Sequence, residues 1–98
     1  MSRYVFAPAA DNDLIDIYLY TAEKWHRDQA DLYTGRIVEA CQRIAAGYVK
    51  GTRIPEFDGK YFKASMGSHF IVYRRDGDLI TIVRILHQRM DIALHLEE

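Results

Sequence analysis

The near-continuous apolar run from Leu79 to Leu86 constrains this chain more than any other feature. Thr81 and Arg84 are its only polar members, so the segment reads as a strand buried on both faces and therefore central in its sheet. Asp76-Gly77-Asp78 precedes it, a turn short enough to force antiparallel pairing with the apolar segment 69–75. Met66-Gly67-Ser68 in turn links that segment to an earlier one at 60–65. Three strands joined by two tight turns make an antiparallel meander.

Upstream the hydrophobic period changes from two to 3.6. Tyr4-Val5-Phe6-Ala7 is a short β-prone run, read as a strand over about 3–7 and placed as an outer strand beside the meander. Pro8 suits the first position of a helix, where a missing N–H costs nothing. Asp11, Asp13 and Asp16 then sit near the end of the helix that favours negative charge. Leu14, Ile17, Tyr18, Thr21, Ala22 and Trp25 form one apolar stripe, giving a helix over about 9–25. The stripe breaks at His26-Arg27-Asp28, and Asp28 is the expected N-cap of a second helix. Ala30, Tyr33, Ile37, Ala40, Cys41 and Ile44 make the second stripe, and Gly47 is placed to end it. Helices so closely joined lie antiparallel as an αα-hairpin. Residues 47–59 read as loop, and Asp91 to Leu96 as a short helical segment. The expected fold class is α+β, in the order β-α-α-β-β-β, with the hairpin packed on an antiparallel sheet.

Ninety-eight residues with 49% apolar and 28% charged content predict one globular domain over 1–98. No apolar run approaches the length of a membrane span, and Met1-Ser2-Arg3-Tyr4 carries no signal-like apolar region, so neither membrane nor export is expected. A lone Cys41 on the second stripe reads as a core residue and fits a reducing cytoplasm. The net charge of −1 hides an asymmetry. Residues 1–48 carry five Lys or Arg against seven acids, whereas residues 49–95 carry eight against five, with Glu97 and Glu98 beyond. The basic half can receive an anionic partner such as an acidic peptide or nucleic acid, or is simply scattered solubilising charge, and it is too weakly basic for a dedicated, sequence-specific DNA binder.

Arg84, His87 and Arg89 are the cluster that invites a catalytic reading. A histidine between two arginines could act as general acid or base on a phosphodiester, with the guanidiniums stabilising developing charge. On a regular strand, however, residues three apart lie on opposite faces, and nothing in the sequence supplies a nucleophile. The structural alternative pairs Arg84 with a carboxylate across the sheet and uses His87 to cap the strand end. His26, His69, His87 and His95 lack metal-ligand spacing, so no metal or other cofactor is expected. Among the seven tyrosines, Tyr18 and Tyr33 fall on the inward stripes and read as core. Tyr20 falls off its stripe and is a candidate interface anchor. Trp25 at the hairpin bend either plugs the core or serves as a second anchor.

The ordered segments resemble the ParE toxins, the gyrase-directed branch of the ParE/RelE toxin–antitoxin superfamily. The opening Phe6-Ala7-Pro8 through Asp13-Leu14-Ile15-Asp16-Ile17 carries the likeness, as do Tyr20 to Trp25 with Gln29-Ala30 and Tyr33. So do Gly67-Ser68-His69 with Tyr73-Arg74, and the ending Val83-Arg84-Ile85-Leu86-His87-Gln88-Arg89-Met90-Asp91. The resemblance implies a RelE-like fold and a toxin that inhibits DNA gyrase, causes growth arrest, and is held silent in a hetero-oligomeric complex by a ParD-like antitoxin. Such a toxin is a binding protein rather than an enzyme. The alternative is a RelE-like, ribosome-dependent mRNA endoribonuclease using Arg84, His87 and Arg89. No Tyr follows the last strand and basic residues over 50–63 are sparse, which argues against that branch. Candidate antitoxin or target contacts are Tyr20, Trp25, Lys60, Lys63, Arg74, Arg75, Arg84, His87, Arg89 and Met90.

Overall fold

The protein's computed structural model describes residues 3–96; the terminal acids Glu97 and Glu98 lie outside them. Strand β1 (Arg3–Phe6) leads through Ala7 into helix α1 (Pro8–Lys24), with Pro8 at the first turn. Helix α2 (Arg27–Ala46) follows after two residues and ends where Gly47 takes the left-handed conformation, φ 87°. The remainder is β2 (Thr52–Arg53), a 3₁₀ turn at Pro55–Phe57, β3 (Phe62–Met66), β4 (His69–Asp76), β5 (Leu79–His87) and α3 (Ile92–His95). The Asp91 carboxylate caps α3 by accepting from the Ala93 N–H.

The five strands form one sheet in the order β1-β5-β4-β3-β2, so β5 is internal and β1 is an edge. The meander is antiparallel, as its turns require. The β1–β5 ladder is parallel, pairing Arg3 with Leu79 and Phe6 with Ile82, and makes the sheet mixed rather than antiparallel throughout. Parallel neighbours need a long crossover, and the helical hairpin supplies it.

Three local expectations shift for physical reasons. Helix α2 starts before Asp28, with His26 in the N-cap position, and Asp28 sits in the first turn. Strand β3 starts at Phe62, because the Lys60 N–H is used by the Phe57 carbonyl to close the preceding turn. Within 47–59, Thr52 and Arg53 pair with Lys63 and Phe62, a two-residue strand too short to show any alternation.

Both faces of the sheet are covered. Ala10, Ile37, Cys41, Ile44, Ile71, Ile80, Ile82 and Ile85 form the core beneath the hairpin. Ile54, Tyr61, Val72, Val83, Leu86 and Leu96 form a smaller core on the other face, under the loop and α3. Burial pushes the Cys41 thiol up to about 12, which leaves it unreactive.

One irregularity decides what β5 presents. Tyr73 pairs with Ile82 but Val72 pairs with Arg84, so Val83 is an extra residue in β5 and forms a bulge. Before it, Ile80 and Ile82 face the hairpin; after it, Ile85 does. The bulge thus reverses the strand's phase and turns His87 toward the helices.

Candidate functional site

The meander's register places His69 opposite His87 at the end of the sheet nearest the α1–α2 bend. The two rings meet edge to face, with centroids 5.4 Å apart. Tyr33, from the first half of α2, reaches down to them, its Oη 2.6 Å from His69 Nδ1. The same oxygen accepts the Ser68 N–H at 3.0 Å. Gly67 makes this approach possible, since a Cβ there would lie 2.7 Å from Tyr33 Oη, and its φ of +58° is the left-handed turn geometry that favours glycine. Gln88 ties the same turn to the end of β5, donating its backbone N–H to the Ser68 carbonyl and its side-chain Nε2–H to the Gly67 carbonyl.

These residues floor a groove of about 600 Å³ whose walls come from α1 and the helix bend, including Asp16, Ile17, Tyr20, Lys24, Trp25 and Gln29. Tyr20 and Trp25 are each 62% exposed, large apolar surfaces that the fold leaves uncovered. Lys24 Nζ lies over the Tyr20 ring at 5.6 Å and donates to its hydroxyl. Burial is the larger influence on His69, and the adjacent His87 adds to it, together holding its imidazole below the usual histidine range despite opposition from Asp13.

Arg84 does not enter this groove. Its Nε and Nη2 donate to the two carboxylate oxygens of Asp13 at 2.7 and 2.8 Å, and Nη1 donates to the His95 carbonyl at 2.6 Å. Asp13 also accepts the Ile85 N–H at 2.9 Å. Strand β1 has ended by then, so this carboxylate satisfies a β5 backbone group that the ladder leaves open. The pair joins α1, β5 and α3, and its hydrogen bonds hold the guanidinium above the usual arginine range.

Of the sequence-derived candidates, Tyr20, Trp25 and His87 come together at the groove. Arg89 contributes its backbone N–H, which His87 Nδ1 accepts at 3.1 Å, while Met90 packs against the smaller core. Arg74, Arg75 and Lys60 lie toward the opposite end of the meander, where Phe62 pairs with Tyr73 and Asp76 with Leu79. Lys60 sits over Tyr61, Lys63 over Phe70, and Arg74 pairs with Asp76 at 3.0 Å. His69, Tyr33 and Ser68 were not candidates. In a regular hairpin His69 would face Leu86, and the bulge alone brings it to His87. Among the described residues, no three His, Cys, Asp or Glu side chains are grouped to hold a metal ion. No described helix is long and apolar enough to cross a membrane.

The helical hairpin thus packs over a mixed five-stranded sheet and leaves an aromatic groove open at its bend. Residues 4–92 match the family described as the ParE toxin of the type II toxin-antitoxin system, parDE. Toxin ParE1 of Mycobacterium tuberculosis is 41% identical over 96 residues, covering 97% of this chain and 98% of that protein. Toxin ParE1 of Caulobacter vibrioides is 31% identical, covering 98% and 99%. The fold also matches a solved chain of the chromosomal ParDE TA system from P. aeruginosa, with a TM-score of 0.72 at 22% identity, covering 89% of this chain and 95% of that one. The chain belongs to the ParE toxin family.

Proposed function

We propose that this toxin acts in the cytoplasm by binding and inhibiting DNA gyrase, arrests growth in doing so, and is silenced by a ParD-like antitoxin. Family membership supports the reading. The observation that carries the non-enzymatic part is the state of Arg84: all three of its nitrogens already donate within the fold. A guanidinium neutralised by Asp13 and standing outside the groove that His87 lines is poorly placed to stabilise a phosphorane there. The exposed Tyr20 and Trp25 supply the kind of aromatic surface that protein partners cover.

The test is gyrase supercoiling by the toxin freed of antitoxin, with DNA topology read on a gel. Lost supercoiling or trapped cleaved DNA, reversed by adding a ParD-like antitoxin, is the expected result. Undisturbed supercoiling would overturn it. A ribosome-dependent cleavage assay with His87→Ala would then test the ribonuclease alternative.

A further inference from the structure

The groove floor has a definite hydrogen-bonding polarity. Tyr33 Oη already accepts from the Ser68 N–H, so its own proton needs an acceptor. His69 Nδ1 stands at 2.6 Å, against 3.5 Å for the Met66 carbonyl. That ring therefore accepts at Nδ1 and, when neutral, carries its proton on Nε2. His87 Nδ1 accepts the Arg89 N–H, which fixes the same tautomer. Both rings line the groove, and among the described residues no buried side-chain nitrogen or oxygen lacks a partner, so both Nε2–H groups remain open to a ligand. Two N–H donors on neighbouring rings, set edge to face at 5.4 Å on a partly apolar floor, suit a carboxylate with its two acceptor oxygens.

We propose that this groove is a carboxylate-binding subsite. The Nε2–H groups of His69 and His87 grip one acidic side chain of an antitoxin segment, while Ile17, Tyr20 and Trp25 cover its apolar neighbours. The proposal rests on the antitoxin partnership inferred above. The charged and titratable side chains around the two rings are Asp13, Asp16, Tyr20 and Lys24 from α1 and Tyr33 from α2, and Arg89 contributes its backbone N–H. Lys24 is the only cation in the lining and Asp16 the only acid, too little positive charge for a nucleic-acid backbone. A single carboxylate held by two imidazoles needs no more. Its charge favours imidazolium over imidazole, so binding takes up protons and tightens on acidification. Asp16 opposes the ligand, and Asp16→Asn should strengthen binding.

The experiment uses the free full-length toxin and two synthetic probes, acetyl-Leu-Glu-Leu-amide and its Gln counterpart. Trp25 is the only tryptophan and lines the groove, so its fluorescence reports occupancy at the site itself. Imidazole ¹⁵N spectra report the tautomers. Both rings should be Nε2–H in the free protein near neutral pH, and the Glu peptide should move both Nε2 signals. It should bind about tenfold tighter than the Gln peptide, the margin between charge-assisted and neutral hydrogen bonds. Its affinity should rise as pH falls from about 8 to 6, because a bound carboxylate favours the protonated ring. His69→Gln and His87→Gln should each abolish the Glu preference with the backbone amide spectrum retained. An Nδ1–H tautomer in either ring, equal or absent binding of the two peptides, or Nε2 shifts produced by uridine monophosphate but not by the Glu peptide would overturn the proposal. Neither gyrase nor antitoxin enters this measurement, so its failure is distinct from failure of the functional reading.

Discussion

Asp13 ties helix α1 to strand β5 through a single carboxylate. It holds Arg84 through two hydrogen bonds and caps the Ile85 N–H, and its side chain is only 13% exposed. Asp13→Ala would strand a mostly buried guanidinium and an open strand N–H together. The expected loss is about 3 kcal/mol, the scale for breaking one side of a buried pair, read from urea denaturation. Replacing both partners, Asp13→Leu with Arg84→Met, should recover much of it, because the desolvation cost then disappears with the charges. His69 gives a pH dependence of known sign. Its folded imidazole titrates below the unfolded one, so protons favour the unfolded chain. Its contribution is complete above the ordinary histidine range, about pH 6.5, and is lost as pH falls through the folded value. The urea midpoint should therefore decline on acidification, and His69→Gln should flatten that decline. An unchanged slope in the variant would remove His69 as its source. The sequence pointed Arg84 to a carboxylate across the sheet, but its partner comes from α1, because Asp13 and Arg84 are far apart in sequence and meet only where β1 stops short of β5's end.

The elements were more legible than their junctions. Both helices followed from apolar stripes bounded by Pro8 and Gly47, and the meander from two tight glycine turns, since each signal is local. The parallel β1–β5 ladder was not, because pairing across the crossover depends on how the hairpin docks rather than on any short motif. The Val83 bulge was equally hidden, and it is what sets His69 opposite His87 rather than Leu86. The helix bend carries a further cost that the sequence does not announce: His26 has φ 138° and ψ 178°, a region essentially reserved for glycine. Such a residue costs about 1–3 kcal/mol, and glycine's own entropic penalty is roughly 0.5–1 kcal/mol. His26→Gly should thus stabilise the protein by about 1 kcal/mol, measured as a raised urea midpoint. A lower midpoint would mean that the His26 side chain makes a stabilising contribution larger than the strain. The strained residue directly follows Trp25, so the bend that holds the exposed indole in place is itself under tension.

At the scale of the whole molecule, two surfaces compete for a partner. Charge pattern favours the far end of the meander, where Lys60 and Arg75 are exposed; apolar exposure favours the groove, where Tyr20 and Trp25 stand open. Magnitudes separate them. Exposed charges steer association and are screened by salt, whereas buried aromatic anchors dominate the free energy of a bound complex. Tyr20→Ala and Trp25→Ala remove side chains that support little of the core, so each should change stability by no more than about 0.5 kcal/mol. Each should nonetheless weaken antitoxin binding by about tenfold or more, mainly through faster dissociation. Lys60→Glu and Arg75→Glu should instead slow association at low salt, with the effect fading as ionic strength rises. Surface-plasmon kinetics on the four variants distinguishes the two. If the charge reversals raise the dissociation rate and the aromatic truncations do not, the basic end is the seat of the antitoxin and the groove is not. If the aromatic truncations act as expected, the antitoxin occupies the surface that Tyr20 and Trp25 expose at the helix bend, and silencing works by covering it.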